Sequence, residues 1–217
     1  MKVIFCIPGK QFSDLWLHSW NDTLLTLSKA KISWAYSMDY DAVIYHARNK
    51  VLGGNNLLGK NQKPFQGQVK YDFIIWIDSD MVWKGQDILD LINSDKPIIS
   101  SCYLMRDNLH YAIVENLDYT TLSKKGTFDF LNRDMLLTKT EPFKVNYTGF
   151  GLLAMKYGVL ESLEYPWFRP QWIDYNDFFD FTSEDVGFCW SAQKAGYDIW
   201  VNPAIKVGHE KLIVLQS

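Results

Sequence analysis

The sequence is poor in cysteine and contains no long apolar run. Its three cysteines, Cys6, Cys102 and Cys189, are odd in number and far apart, and no C-x-x-C pair is present. This spacing excludes a disulfide framework and a zinc site, and it favours a reducing compartment. No stretch reaches the roughly 18 apolar residues of a membrane-spanning helix, and the run before Pro8 is too short for a signal peptide. We therefore expect a cytoplasmic protein without a transmembrane segment.

Clusters of basic residues and low-complexity segments are also lacking. The chain has 22 Lys and Arg against 25 Asp and Glu, so its formal net charge is −3. This charge balance does not indicate nucleic-acid binding. The 217 residues are 47% hydrophobic, which is enough for one sizeable core. We expect one domain over 1–217, without an internal repeat or a linker.

Strand and helix patterns alternate along the first half of the chain. Apolar runs predict strands over 2–7, 31–38, 71–77 and 96–104, and helical spacing predicts helices over 13–30, 40–54 and 85–95. This alternation predicts an α/β layered fold with a largely parallel sheet. Ligands of such sheets bind beyond the carboxyl ends of the strands. Pro8, Gly9, Asp39 and 78–80 fall at these ends and should meet in one crevice.

The second half of the chain has fewer regular patterns. Residues 105–145 suggest a hairpin or a flap, and 165–181 suggest an aromatic and acidic loop. The motif "TGFG" at 148–151 predicts a tight turn before a strand and a helix. End signals predict a helix over 182–196, and 197–210 read as one or two strands.

The segment "FIIWIDSDMVWKG" places Asp78 and Asp80 directly after a strong strand pattern. In extended backbone, residues two apart point to the same side, so both carboxylates can address one ligand. Oxygen ligands at this spacing suit Mg²⁺ or Mn²⁺ bridging a substrate phosphate. A solvated turn before the next helix is the structural alternative.

Several other polar residues are candidates for the same site, each with a simpler structural reading. His209 in "VGHEK" could be a third metal ligand or an ordinary histidine, and Lys211 could neutralise a diphosphate or be solvated. Glu184 and Asp185 could provide a base or only stabilise a helix N-terminus. Arg48 could clamp a phosphate or lie on the surface.

Taken in order, the motifs "FCIPG", "ARN", "WIDSDM", "TGFGLLAMK", "SEDVGFCWSAQKAGYDIWVNP" and "VGH" resemble those of GT-A fold, nucleotide-sugar-dependent glycosyltransferases. The resemblance covers most of the chain and is weakest over 105–145. It implies a Rossmann-like three-layer fold in which a mostly parallel mixed sheet is flanked by helices. A nucleotide-binding half would span about 1–104 and an acceptor or catalytic half about 105–217.

The same resemblance implies a role for each matching residue. Asp80 and His209 would bind Mn²⁺ or Mg²⁺, and Asp78 would bind the metal or the ribose and sugar hydroxyls. Asp185, with Glu184 beside it, would face the acceptor as the catalytic residue, in the role of a base or of a group that holds a hydroxyl. The residues implied around the nucleotide-sugar are Pro8, Gly9, Asp39, Arg48, Ser79, Gly149, Gly151 and Lys211. Acceptor-side rings would be Trp167, Trp172 and Tyr175. The donor would be a UDP-sugar, or in some relatives a GDP-sugar, and the acceptor a carbohydrate or a glycoprotein glycan.

The compact size and overall pattern also resemble a glycosyltransferase domain of large DNA viruses of algae. That resemblance implies a viral protein in the host cytoplasm, which could be one domain of a longer polypeptide.

Three other functions compete with the transferase. "DSDMV" matches the D-x-D-x-[TV] motif of haloacid-dehalogenase-like phosphatases, in which Asp78 would be the nucleophile and Asp80 the acid-base. That motif normally follows the first strand, whereas two strands precede it here. A nucleotidyltransferase fits weakly, because "PGKQFSD" is not a basic Gly-rich loop. A non-catalytic carbohydrate- or nucleotide-binding module would explain the 16% aromatic content without a metal.

Overall fold

The structure is a computed structural model, and it describes residues 1–212. The helices are α1 Asp14–Lys29, α2 Ile44–Val51, α3 Gly85–Asn93, α4 Tyr119–Lys125, α5 Arg133–Leu137, α6 Val159–Ser162 and α7 Glu184–Lys194. The strands are β1 Lys2–Pro8, β2 Ser33–Asp39, β3 Phe73–Ile77, β4 Met81–Val82, β5 Ile98–Cys102, β6 Ile113–Val114, β7 Phe143–Val145, β8 Tyr147–Thr148, β9 Leu152–Lys156, β10 Trp172–Tyr175, β11 Phe178–Phe181, β12 Ile199–Lys206 and β13 Gly208–His209.

Seven strands form the central sheet in the order β2-β1-β3-β9-β5-β12-β7. The pairs β1–β2, β1–β3 and β5–β12 are parallel, whereas β9 is antiparallel to β3 and β5, and β7 to β12. The predicted mostly parallel mixed sheet is therefore confirmed. The carboxyl ends of β1, β2, β3, β5 and β12 share one edge, and β9 starts from that edge.

Apolar side chains cover both faces of the sheet. All five residues of β3 are buried, as expected for a central strand with helices on both sides. Ile74 and Trp76 join one core cluster with residues of α7, while Phe73, Ile75 and Ile77 join a second cluster with residues of α1 and α3. This packing gives the three layers that the sequence predicted.

Two regions differ from the sequence prediction. Residues 165–181 were expected to form a loop, but they contain the antiparallel hairpin β10–β11, whose turn includes Asn176 at φ 54°. Residues 105–145, expected to be a hairpin or a flap, contain α4 and α5 between two short strands. In this second region, contacts with distant elements override weak local patterns: β6 pairs with β8, and β7 joins the central sheet.

Within residues 1–212, no helix combines the length and apolar character needed to cross a bilayer.

Candidate active site

Asp80 and His209 are neighbours at the carboxyl edge of the sheet. Oδ2 of Asp80 lies 3.1 Å from Nε2 of His209. The backbone enforces this meeting, because His209 pairs with Met81 in the β4–β13 ladder. In addition, the Glu210 N–H donates to the Asp80 carbonyl at 2.8 Å. The predicted pairing of a DxD carboxylate with the late histidine is thus present in the fold.

The other ring nitrogen of His209 determines what Nε2 can do. Nδ1 is 2.7 Å from the carbonyl oxygen of Leu104. Because a carbonyl only accepts, Nδ1 carries a proton and donates to it, and Nε2 is the ring atom that faces the Asp80 carboxylate. Metal-binding histidines commonly have such an outer carbonyl. A carboxylate oxygen and an imidazole nitrogen that face one another are suitable ligands for Mn²⁺ or Mg²⁺.

Lys211 contacts the same carboxylate. Its Nζ donates to Oδ2 of Asp80 at 2.6 Å. Partial burial raises the pKa of Asp80, but hydrogen bonds and charge from His209 and Lys211 outweigh it and lower that pKa to about 2. Asp80 is therefore a carboxylate at neutral pH, as a metal ligand must be.

Asp78 turns away from this pair and toward Arg48. Nη2 of Arg48 donates to Oδ2 of Asp78 at 3.2 Å, and Nη1 lies 3.1 Å from Oδ1 without hydrogen-bond alignment. Nε of Arg48 donates to Glu184 at 3.2 Å. Arg48 is only 3% exposed, so it is not available as the predicted phosphate clamp. Within residues 1–212 no three metal-ligating side chains come together, so Asp78, Asp80 and His209 do not form a preassembled trio.

Arg48 links the strand end of Asp78 to the helix start of Glu184. Burial lowers the pKa of Arg48, but Asp78 and then Glu184 outweigh it and raise that pKa. Burial in turn raises the pKa of Asp78 despite Arg48, and burial followed by repulsion from Asp185 raises the pKa of Glu184. The guanidinium also lies over the rings of Phe150 and Trp76, 5.2 and 5.6 Å from their centroids. One buried cation thus holds two carboxylates in place.

Asp185 is the second residue of α7, and it is partly exposed. The Tyr147 hydroxyl donates to Oδ2 at 2.9 Å, and the Val186 N–H donates to Oδ1 at 2.9 Å. The Ser183 hydroxyl also donates to Oδ1. These donors fix the direction of a carboxylate that can accept a proton or hold a hydroxyl.

Gly149 and Gly151 pass against Tyr103. A Cβ added at Gly149 would lie 1.9 Å from the Tyr103 hydroxyl oxygen, and one added at Gly151 would lie 2.7 Å from the ring. The Tyr103 ring also packs edge-on to His209, with centroids 5.1 Å apart. The two glycines therefore allow the backbone to approach a tyrosine that supports the metal-ligand candidate.

The residues predicted around the nucleotide also converge. Pro8 is the register partner of Asp39, and the Gly9 N–H donates to the Asp39 carbonyl at 3.0 Å. A Cβ at Gly9 would lie 2.8 Å from Cβ of Ser79, between the two acids of the DxD motif. These four residues lie together at the carboxyl edge.

The predicted acceptor-side rings behave differently from one another. Trp167 is only 1% exposed, so the prediction that it faces an acceptor is wrong; its ring fills the core. Trp172 is 68% exposed on the hairpin. Tyr175 is partly buried, with its hydroxyl 3.1 Å from that of Thr120.

Sequence reasoning missed three residues of this region. Tyr103 directly follows β5, so the strand-end rule that identified Asp78 applies to it too. Tyr147 lies one residue before "TGFG", but it belongs to no sequence motif that would have identified it. Arg106 lines an open cleft of about 680 Å³ that also borders His209 and Lys211.

Comparisons with known proteins bear on the fold. No protein-family model matches the chain, and no curated protein matches it by sequence. Among solved structures, it is similar to A197 from STIV, with a TM-score of 0.55 and 16% identity over 100% of this chain and 98% of that one.

Two further similar structures are of Drosophila beta1,4-galactosyltransferase 7. The catalytic domain in complex with xylobiose matches with a TM-score of 0.52 and 10% identity, over 97% of this chain and 71% of that one. A mutant in complex with manganese, UDP-Gal and xylobiose matches with a TM-score of 0.50 and 11% identity over the same shares. At these identities the similarity concerns the fold alone, and it confirms the GT-A-like three-layer α/β architecture.

Proposed function

We propose that this chain is a metal-dependent glycosyltransferase that moves a sugar from a UDP-sugar to a carbohydrate or glycoprotein glycan. The observation that carries the proposal is the Asp80–His209 pair, in which a carboxylate oxygen and an imidazole nitrogen face one another at the carboxyl edge of a GT-A-like sheet. Ser79, which precedes Asp80 in the chain, packs against Gly9 of the crevice. A viral source and a cytoplasmic location stay predictions.

Asp80 and His209 would hold Mn²⁺ or Mg²⁺. When bound there, the ion would stabilise the negative charge that develops on a leaving diphosphate. Lys211 would add a cation beside the same oxygen, and Tyr103 would keep the His209 ring in orientation through its edge contact. Asp78, held by Arg48, would accept hydrogen bonds from donor hydroxyls, which is the second role that the resemblance implies.

Asp185 would act on the acceptor. Its carboxylate is directed by Tyr147, Ser183 and the Val186 N–H, and it is partly open to solvent. If the reaction inverts configuration, Asp185 would take the proton from the attacking hydroxyl. If configuration is retained, it would position the substrates. Glu184 is buried against Arg48 and would support this arrangement from behind.

The phosphatase alternative fits the structure less well. Its nucleophile would be Asp78, but both guanidinium nitrogens of Arg48 lie 3.1–3.2 Å from that carboxylate. A carboxylate held by a buried arginine is a weak nucleophile, because its charge is already engaged. A non-catalytic binding module would not explain the Asp80–His209 pair or the directed Asp185 carboxylate.

The test is a panel of nucleotide-sugars assayed with and without Mn²⁺. We expect one donor to raise the melting temperature by mass action only with the metal, and to release its nucleoside diphosphate on turnover. Asp80→Ala should lower turnover at least about a hundredfold, since a lost metal ligand removes several kcal/mol of charge stabilisation. Asp95→Asn is the matched control, an exposed acid just before β5 at the opposite edge of the sheet. Phosphate release from monoesters instead would support the phosphatase, and metal-independent binding without turnover would support the module.

A further inference from the structure

The β10–β11 hairpin presents three large rings to solvent. The strands pair Trp172 with Phe181 and Asp174 with Phe179, and directly paired residues share one face of a hairpin. Trp172, Phe179 and Phe181 are 68%, 66% and 58% exposed. Trp172 and Phe179 stack with centroids 5.1 Å apart, and Phe181 stands edge-on to Trp172 at 5.9 Å. Clustered exposed rings of this kind mark a binding surface. We name these three residues the ring platform.

The ring platform is close to Asp185, the candidate base, in the chain. Phe181 and Asp185 are four positions apart, so their Cα atoms are at most about 14 Å apart. A cavity of about 210 Å³ lies between the other face of the hairpin and the 122–130 segment. Its walls include Tyr147 and Ser183, the two side chains that donate to Asp185, and also Phe181 of the platform. Phe181 therefore borders both the ring platform and the cavity beside the residues that hold Asp185.

The charge of this region limits what can bind. The segment "QWIDYNDFFDFTSED" at 171–185 contains five acids and no base. Within residues 1–212, Asp180 is the one charged residue that lines the cavity. On the facing α4 helix, Lys125 is paired with Asp129 at 2.8 Å, which leaves Lys124 as the other nearby cation. Acidic sugars or phosphorylated chains would be repelled by such a surface.

We infer that the ring platform and the cavity bind the acceptor, and that this acceptor is a neutral oligosaccharide of two or more sugars. The inference rests on the proposed glycosyltransferase function and adds the chemical class of the substrate. The cavity is smaller than the roughly 300–1,000 Å³ of drug-sized ligand pockets, so it has room for about one sugar ring. A second sugar would then lie past Phe181, which borders both the cavity and the platform, and stack its apolar C–H face on the exposed rings.

Direct binding to the full chain tests this without a donor. Saturation-transfer NMR and calorimetry would use neutral tetrasaccharides of the gluco, manno, galacto and xylo series, with their monosaccharides and tetragalacturonate for comparison. We expect at least one neutral tetrasaccharide to bind tenfold or more tightly than its monosaccharide and than tetragalacturonate. No binding by any neutral tetrasaccharide, or equal binding by tetragalacturonate, would overturn the inference.

Variants locate the binding surface. Trp172→Ala and Phe179→Ala should each weaken tetrasaccharide binding about fivefold or more and leave monosaccharide binding nearly unchanged. Tyr157→Ala is the matched control, since Tyr157 is a 60% exposed ring that follows β9 at the opposite edge of the sheet. Asp174→Lys should improve binding of tetragalacturonate, because Asp174 shares the face of the rings. Unchanged binding in both alanine variants would show that the rings do not bind the oligosaccharide. A dimer in sedimentation that these variants dissociate would instead assign the rings to protein contact.

The readouts separate this inference from the proposed function. Slow nucleotide-sugar hydrolysis with Mn²⁺ and no acceptor reports the transferase chemistry alone, and the control Tyr157→Ala should not alter it. Hydrolysis without oligosaccharide binding would overturn the inference but leave the proposed function standing. Oligosaccharide binding without any donor turnover would overturn the proposed function but leave the binding surface for a neutral oligosaccharide standing.

Discussion

Oδ2 of Asp80 lies 3.1 Å from Nε2 of His209, although 129 positions separate the two residues in the chain. The β4–β13 ladder brings them together, and the Leu104 carbonyl, which accepts from Nδ1, directs Nε2 toward the carboxylate. A carboxylate oxygen and an imidazole nitrogen are both suitable ligands for a divalent cation such as Mn²⁺.

Replacing His209 should weaken metal binding more than folding. His209→Ala removes the nitrogen ligand, while the ladder hydrogen bonds of the backbone remain, so we expect Mn²⁺ affinity to fall about ten- to a hundredfold. Calorimetric titration with Mn²⁺ alone would measure this. His18→Ala, on the exposed side of α1, is the control that should leave affinity unchanged. Equal Mn²⁺ affinity in the two variants would contradict the assignment of the ligand.

Removing Arg48 should destabilise the fold in a pH-dependent way. Arg48→Met leaves the buried Glu184 and the partly buried Asp78 without their cation, which costs about 3–5 kcal/mol at neutral pH. The pKa values of both acids are already raised above those of the unfolded chain, and this loss raises them further. The folded state then binds protons more tightly than the unfolded state, so the deficit shrinks at low pH and grows as pH rises through these pKa values.

Urea denaturation at pH 5 and pH 8 would measure the Arg48 effect. Lys50→Met is the control on the same helix, because its ion pair with Asp41 is exposed and screened by solvent, so its loss should change the free energy of unfolding little. Adding Asp78→Asn and Glu184→Gln to Arg48→Met should remove the pH dependence. A pH-independent loss in the single variant would mean that packing against Phe150 and Trp76, rather than charge, explains the role of Arg48.

Strand ends could be predicted from sequence because their signals are local. Apolar runs closed by Pro8-Gly9 and Asp78 locate the carboxyl edge, and the DxD and "VGH" motifs point to the pair that meets there. The destination of Arg48 was not predictable in this way. Whether an arginine faces solvent or the core depends on partners 30 and 136 positions away.

The aromatic segment 165–181 shows the same limit in another form. The sequence predicts one aromatic and acidic loop there. In the structure, Trp167 is buried and Trp172 is exposed on a hairpin. The residue type is the same at both positions, and the difference in exposure arises because only Trp167 packs in the core.

Asp185→Asn should reduce transfer without loss of donor binding. The amide keeps the size of the side chain but cannot accept a proton, so general-base catalysis worth about 10²–10⁴ in rate would be lost. Single-turnover transfer and donor affinity, measured separately, would distinguish chemistry from binding. Tyr147→Phe, which removes one donor to Asp185, should cost much less. Near-normal transfer by Asp185→Asn would leave Asp185 a positioning role at most.

The contact of Gly149 with Tyr103 leads to a prediction with a built-in rescue. Gly149→Ala would place Cβ 1.9 Å from the Tyr103 hydroxyl oxygen, and the next ring atom would be 3.0 Å away. We expect this variant to lose about 1–3 kcal/mol of unfolding free energy through overpacking, and to lose metal-dependent turnover as the His209 support shifts. Tyr103→Phe removes the clashing oxygen, and with it the hydrogen bond that this oxygen accepts from the Gly151 N–H. Combined, the two substitutions should be more stable than Gly149→Ala alone, giving a favourable coupling energy in a double-mutant cycle of urea denaturation. Strict additivity would show that the backbone moves away from Tyr103, and that this glycine is not needed for the close approach.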